Sequence, residues 1–157
     1  MATLSAARAA STLPVFRPTG AGLVCAAYGA YTLAANPTAA DIIEFCRVPA
    51  GAVVVGGWLM GADLDTNATE TFEINLGWAA NGDEVADPDG FGDLGVSTGD
   101  VSVHLGAAGL YYPLQGVLMT AGPKTFNAET IIQGTVVATA ATGGTGVLTL
   151  VVLYVVP

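Results

Sequence analysis

Charge is what this 157-residue chain has least of. Only 11% of its residues are Asp, Glu, Lys or Arg, against about a quarter in an ordinary soluble domain. Hydrophobic residues make up 52%, and there are 21 glycines. A free monomer must cover most of its surface with polar groups. A chain this poor in charge is expected to bury part of its surface against other subunits. Basic residues are scarcest: Arg8, Arg17, Arg47 and Lys124 stand against 13 acids, for a net charge of −9. That balance excludes the basic stripe needed to displace counterions from nucleic acid and opposes docking on an anionic membrane. The acids are expected to keep the protein soluble and to turn one face to solvent.

Residues suited to chemistry are equally sparse. The one histidine, His104, alternates with Ser102 on the polar side of Val101–Leu105, a position that suits a structural or solvent-facing role. No serine sits in a Gly-x-Ser-x-Gly elbow, and no Gly-Lys-Ser or Gly-Lys-Thr marks a phosphate loop. Two cysteines and one histidine cannot close a zinc site without carboxylates. Cys25 and Cys46 read as small free core thiols, although a disulfide is geometrically possible if their strands are neighbours. No cofactor is implied and no enzyme is expected. Glu44, Glu70 and Glu73 are the only other carboxylates worth weighing for catalysis, and none has an evident partner.

Long apolar runs are absent too. Thr130 to Val156 contains no charge, but Gly143-Gly144-Thr145-Gly146 interrupts it. The remaining run, Val147 to Val156, is far shorter than the roughly 20 residues of a spanning helix. Its Val and Leu content favours a buried strand. Met1 to Thr12 has no apolar core of an export signal.

What the chain does have is two-residue alternation punctuated by Gly, Pro and Asn, with only a weak helical period near Ala2 to Ala10. Strands are expected over Leu23–Leu33, Asp41–Val48, Ala52–Met60, Thr69–Trp78, Val101–Leu105, Leu110–Leu114, Val117–Thr120, Thr130–Thr139 and Val147–Val156. The clearest is Thr69–Trp78, where Phe72, Ile74, Leu76 and Trp78 point one way and Thr71, Glu73 and Asn75 the other. Residues 81–100 read as an acidic, glycine-rich loop. About eight short antiparallel strands imply an all-β fold, a β-sandwich or jelly roll. Residues 1–22, with Pro14 and Pro18, read as an extended N-terminal arm, and residues 23–157 as a single sandwich domain. Such an arm is expected to be ordered only through contacts outside its own domain.

One cluster could bind metal: Asp83, Glu84, Asp87, Asp89 and Asp93 lie at short spacing among glycines. Asp83, Asp87, Asp89 and Asp93 are the calcium candidates. Pro88 and Gly90 break the EF-hand register, so a solvated acidic loop is the plainer reading. Asn67-Ala68-Thr69 matches a glycosylation sequon, which without an export signal reads as accidental.

Three phrases carry a resemblance. Ala40 to Val54, with Val48-Pro49-Ala50-Gly51-Ala52 at its centre, Thr71 to Gly77, and Gly146 to Val155 with its near-terminal Tyr154 resemble segments of small structural proteins of tailed bacteriophages. Together they cover about half of the chain. The resemblance implies a virion protein of the head decoration or cement type, a non-enzymatic β-sandwich that assembles in the host cytoplasm and sits on the capsid surface. The partners it implies are other copies of itself, a trimer being favoured, and the major capsid protein or other virion proteins. No nucleic acid or membrane is implied. The rival from another class is a carbohydrate-binding or adhesive module that uses Trp58, Trp78, Tyr111 and Tyr112 as a stacking platform.

Overall fold

The structure, a computed structural model, describes residues 1–15, 22–67, 70–93 and 110–157. The expected Val101–Leu105 strand, with Ser102 and His104, lies outside the described residues, as do Arg17, Pro18 and residues 94–100 of the glycine-rich loop.

Among the described residues the chain forms β1 (Thr3–Ser5), β2 (Cys25–Leu33), β3 (Ile42–Val48), β4 (Ala52–Gly61), β5 (Glu73–Trp78), β6 (Asp87–Asp93), β7 (Leu110–Pro113), a helical turn α1 (Val117–Thr120), β8 (Lys124–Phe126), β9 (Thr130–Ala138) and β10 (Gly146–Val155). A short 3-10 turn covers Ala7–Ala9. One sheet runs β1-β3-β9-β5-β6 and the other β2-β10-β4-β7, with β8 beside the start of β4. Every pairing is antiparallel except β1 with β3. The fold is an all-β sandwich.

Alternation fixes which rows meet between the sheets. Ile43 and Phe45 of β3, Ile74, Leu76 and Trp78 of β5, and Ile132 and Val136 of β9 are all buried. They face Val54 and Leu59 of β4 and Leu148, Leu150, Val152 and Tyr154 of β10, which belong to the same core. Each fully buried large apolar side chain contributes roughly 1.5–3 kcal/mol. Trp78, Phe91 and Phe126 close one end of this core with edge-to-face contacts at centroid distances of 5.1, 5.3 and 6.2 Å. Phe72 lies just ahead of β5 and packs half-buried on the core. A register shift between Glu44 and Cys46 lets the consecutive residues Phe45 and Cys46 both turn inward.

Three expectations need correction. The 81–100 segment is not loop throughout, because Asp87–Asp93 forms β6 along β5. Its glycines are there for space. A Cβ on Gly90 would collide with the Trp78 ring, and one on the facing Gly77 with the Asp87 carbonyl. As an edge strand, β6 also tolerates Pro88. Val117–Thr120 is a helical turn, not a strand. Gly116, at φ 55°, turns the chain out of β7, and its carbonyl then accepts from the amides of Met119 and Thr120. A four-residue apolar run is too short for periodicity to distinguish the two forms.

The third correction concerns the N-terminus. Residues 1–15 lie along the domain's own sheet edge, so contacts within the domain hold them. The open edge of β3 offers unpaired backbone groups, and β1 occupies it. The Ile42 amide donates to the Ala2 carbonyl at 2.8 Å and the Ala6 amide to the Glu44 carbonyl at 2.7 Å. Asp41 accepts from the amides of Ala2 at 2.7 Å and Thr38 at 3.0 Å. Arg47 donates to the carbonyls of Ala10, at 3.0 Å, and Leu13, and pairs with Glu129. Ala6 and Ala9 are buried.

Two outcomes check this description. Leu76→Ala should cost about 2–5 kcal/mol in urea unfolding, whereas Glu73→Gln, on the opposite face, should stay within about 0.5 kcal/mol. The reverse order would mean that the β5 register is inverted. Deleting residues 1–13 should lower the urea midpoint of the isolated chain, because it strips the β3 edge and removes the two carbonyl acceptors of Arg47. An unchanged midpoint would restore the free-arm reading.

Candidate functional site

The two outer faces of the sandwich differ sharply in chemistry. Strands β2, β4, β7 and β10 contain no charged residue. Register places their outward side chains in rows. Tyr28, Val151, Trp58 and Pro113 form one row, and Ala30, Thr149, Met60 and Tyr111 the next. Thr32 beside Val147 and Ala26 beside Leu153 extend it on either side. Tyr28, Met60, Tyr111 and Val147 are exposed, at 49, 36, 37 and 44%. Val55, at the bulge in β4, is exposed as well. The face is a continuous uncharged surface four strands wide, of the size class that marks interaction sites.

Among the described residues, charge reaches this face only at its margins. Lys124 of β8 sits opposite Val54, an inward position, and its ammonium lies 4.9 Å from the Trp78 ring centroid and 2.8 Å from Glu84. It therefore seals the end of the core and stays off the outer face. Arg8 stacks on Tyr28 at 4.8 Å and donates to its hydroxyl at 3.0 Å, at the β2 edge.

The other sheet is polar outside. Glu44, Gln133 and Gly77 form one row, and Ile42, Thr135 and Asn75 another. Glu73 lies on the same sheet. The remaining acids of the described residues fall in β6 or in connections: Asp41, Asp63, Asp65, Glu70, Asp83, Glu84, Asp87, Asp89 and Glu129.

The candidate metal ligands do not converge. Asp83 accepts from the Asn127 amide at 3.0 Å, and Glu84 is taken by Lys124. Asp87 and Asp89 adjoin on β6, where burial and then the neighbouring Asp89 hold the Asp87 carboxyl above its usual range. The side chain of Asp93 lies outside the described residues. Among the described residues, no three His, Cys, Asp or Glu side chains gather as a metal group would require. The four aromatics do not form one platform either. Trp78 and Tyr112 are in the core, whereas Trp58 and Tyr111 are on the outer face in different rows. Cys25 and Cys46 are both free, and burial pushes the Cys46 thiol up to about 12, so it carries no thiolate at neutral pH. A crevice of about 60 Å³ lined by Arg8, Tyr28, Cys46, Arg47 and Tyr154, among others, has room for a few waters rather than a sugar ring.

Asp65 is a structural organiser that the sequence did not reveal. It is nearly buried in the β4–β5 connection. It accepts from the amides of Thr71 at 2.7 Å, Ala141 at 2.9 Å, Phe72 and Thr142 at 3.1 Å, and Asn67 at 3.3 Å. Burial opposes ionisation, but these donors outweigh it and hold the carboxyl well below its usual range. Asp65 thereby ties the β4–β5 and β9–β10 connections together at one end of the sandwich. Only an Asp followed by a Thr-rich loop hinted at this in the sequence.

No family model matches the chain, and no curated protein matches it. Solved structures do resemble it. A chain in the capsid of Ralstonia phage GP4 is similar at a TM-score of 0.77, with 24% identity and 99% of each chain covered. A chain of the cyanophage Pam1 capsid asymmetric unit is similar at 0.64, with 26% identity over 94% of this chain and 96% of that one. One in the acid-stable capsid of Helicobacter pylori bacteriophage KHP30 is similar at 0.56, with 18% identity over 88% and 91%. The fold is thus one used by phage capsid components. The cyanophage likeness, at 26% identity along nearly the whole chain, supports a phage structural protein located in the virion capsid.

The Asp65 hub has a pH signature. Its folded pKa is lowered, so its contribution is complete above the unfolded-chain value of about 4 and fades as pH falls toward the folded value. Stability should therefore drop from about pH 4 downward. Asp65→Asn should cost about 1–3 kcal/mol at pH 7, by leaving buried amides unpaired, and should flatten that acid slope. A variant with the wild-type stability and slope would remove Asp65 from this role.

Proposed function

We propose that this chain is a capsid decoration or cement protein, a non-enzymatic homo-oligomer, with a trimer favoured, that covers the outside of a phage head and stabilises it. The observation that carries the reading is the segregation of charge in the sandwich. One sheet face is charge-free and suited to burial, and the other is polar and suited to solvent. The facing sheets β2-β10-β4-β7 and β3-β9-β5-β6 support reading the sandwich as a jelly roll, an architecture common in viral shells.

The chemistry follows from coverage. Many copies, each making modest contacts, sum to strong attachment because neighbours raise one another's effective concentration. No turnover, cofactor or bound metal enters this mechanism. The partners are the major capsid protein and other copies of the chain, met in the host cytoplasm where the virion assembles.

Particles made without this chain distinguish a decoration protein from the shell's building block. Closed shells of normal size should form, but they should rupture at lower temperature, and the purified chain added back should restore the wild-type rupture temperature. If no closed shell forms without it, the chain is the shell protein itself. If shells form and are equally heat-stable with and without it, the stabilising role is wrong.

A further inference from the structure

We infer that the uncharged outer face of the β2-β10-β4-β7 sheet is the surface through which copies of this chain contact one another. The inference rests on the proposed oligomeric role and names the side chains that would serve it.

Three observations choose a second copy as the occupant. First, an occupant of this face must itself be apolar and uncharged, because no acid or base here can pair with a charged partner. A surface of that chemistry that the structure provides is the same face of other copies, which can be turned toward a common axis so that a trimer as well as a pair closes. Second, each copy carries a net charge of −9, so two copies repel wherever their acids approach. The described acids lie on the other sheet, in β6 or in connections. Stacking through the neutral face leaves the acidic sheets about three sheet spacings of roughly 10 Å each apart. That exceeds the screening length of about 8 Å at physiological ionic strength. Third, the size is right. Strands of nine, ten, ten and four residues, at about 3.3 Å per residue and about 4.8 Å apart, give a footprint on the order of 500 Å² before side-chain relief. A standard interface uses about 800 Å² of accessible surface per partner.

Within the face, Trp58 and Val151 sit side by side and half-buried, with Tyr28 and Pro113 at the ends of their row. Met60 and Tyr111 stand opposite each other in the next row and project further. Aromatic and Met side chains at the centre of an apolar patch are the usual anchors of such contacts. Arg8 stacks on Tyr28 at the β2 margin.

The test is the mass of the purified full chain by light scattering and sedimentation across concentration, for the wild type and three variants. Met60→Glu and Tyr111→Glu place a carboxylate in the proposed contact at exposed positions, so folding is preserved, and thermal unfolding checks that it is. Val137→Glu places one at an exposed position of the other sheet. The wild type and Val137→Glu should form the same closed oligomer, whereas Met60→Glu and Tyr111→Glu should associate at least ten-fold more weakly. Folded Met60→Glu and Tyr111→Glu proteins with the wild-type mass would overturn the inference. So would a wild type that is monomeric at tens of micromolar. If such a monomer still binds and stabilises purified shells, the decoration role survives and only the copy-to-copy contact is lost.

Discussion

Everything else in this structure depends on one constraint, that a chain with four bases and 13 acids cannot solvate both faces of a sandwich. The fold meets the constraint by sorting. Among the described residues, charge lies on one sheet, on β8 and in the connections, and four strands are left without any. The four bases are too few to neutralise the acids, and three of them serve structure. Lys124 caps the aromatic end of the core, Arg47 holds the N-terminal segment, and Arg8 covers Tyr28. In the proposed reading, the uncharged face is the one that other subunits cover.

Much of the architecture was legible in the sequence because β-strand alternation is a strong signal when both phases are populated. Ile74, Leu76 and Trp78 against Glu73 and Asn75 defined β5 and its inward face. The Val-Pro-Ala-Gly-Ala phrase likewise marked the turn between β3 and β4, with Gly51 at φ 82°. The misses have physical causes. The sequence Asp-Pro-Asp-Gly-Phe-Gly-Asp of β6 reads as loop, because the glycines that make room for Trp78 and the β5 backbone are invisible without the neighbouring strand. The three-residue strands β1 and β8 are too short for any period to show.

The candidate site was legible only in outline. Scarcity of charge pointed to a buried surface, but the residues on it were set by register between β4, β10 and β7, which a single sequence does not display. Asp65 was hidden for the same reason. Its donors come from two connections more than seventy residues apart, and only folding brings them to one carboxylate. The N-terminal segment shows the opposite error. Prolines and small residues suggested a free arm, yet an unpaired edge on β3, reinforced by Asp41 and Arg47, was enough to capture it.

The measurement that bears most directly on this account is hydroxyl-radical footprinting of intact virions against the isolated chain diluted until it is monomeric. Met and aromatic side chains report most strongly, and the uncharged face presents Trp58, Met60 and Tyr111, while Met119 on α1 is 74% exposed and lies off that face. The account predicts that Trp58, Met60 and Tyr111 are protected in the virion and labelled in the monomer, with Met119 changing far less. Equal labelling of the three in both states would show that the charge-free face stays open to water in the particle, and would contradict it.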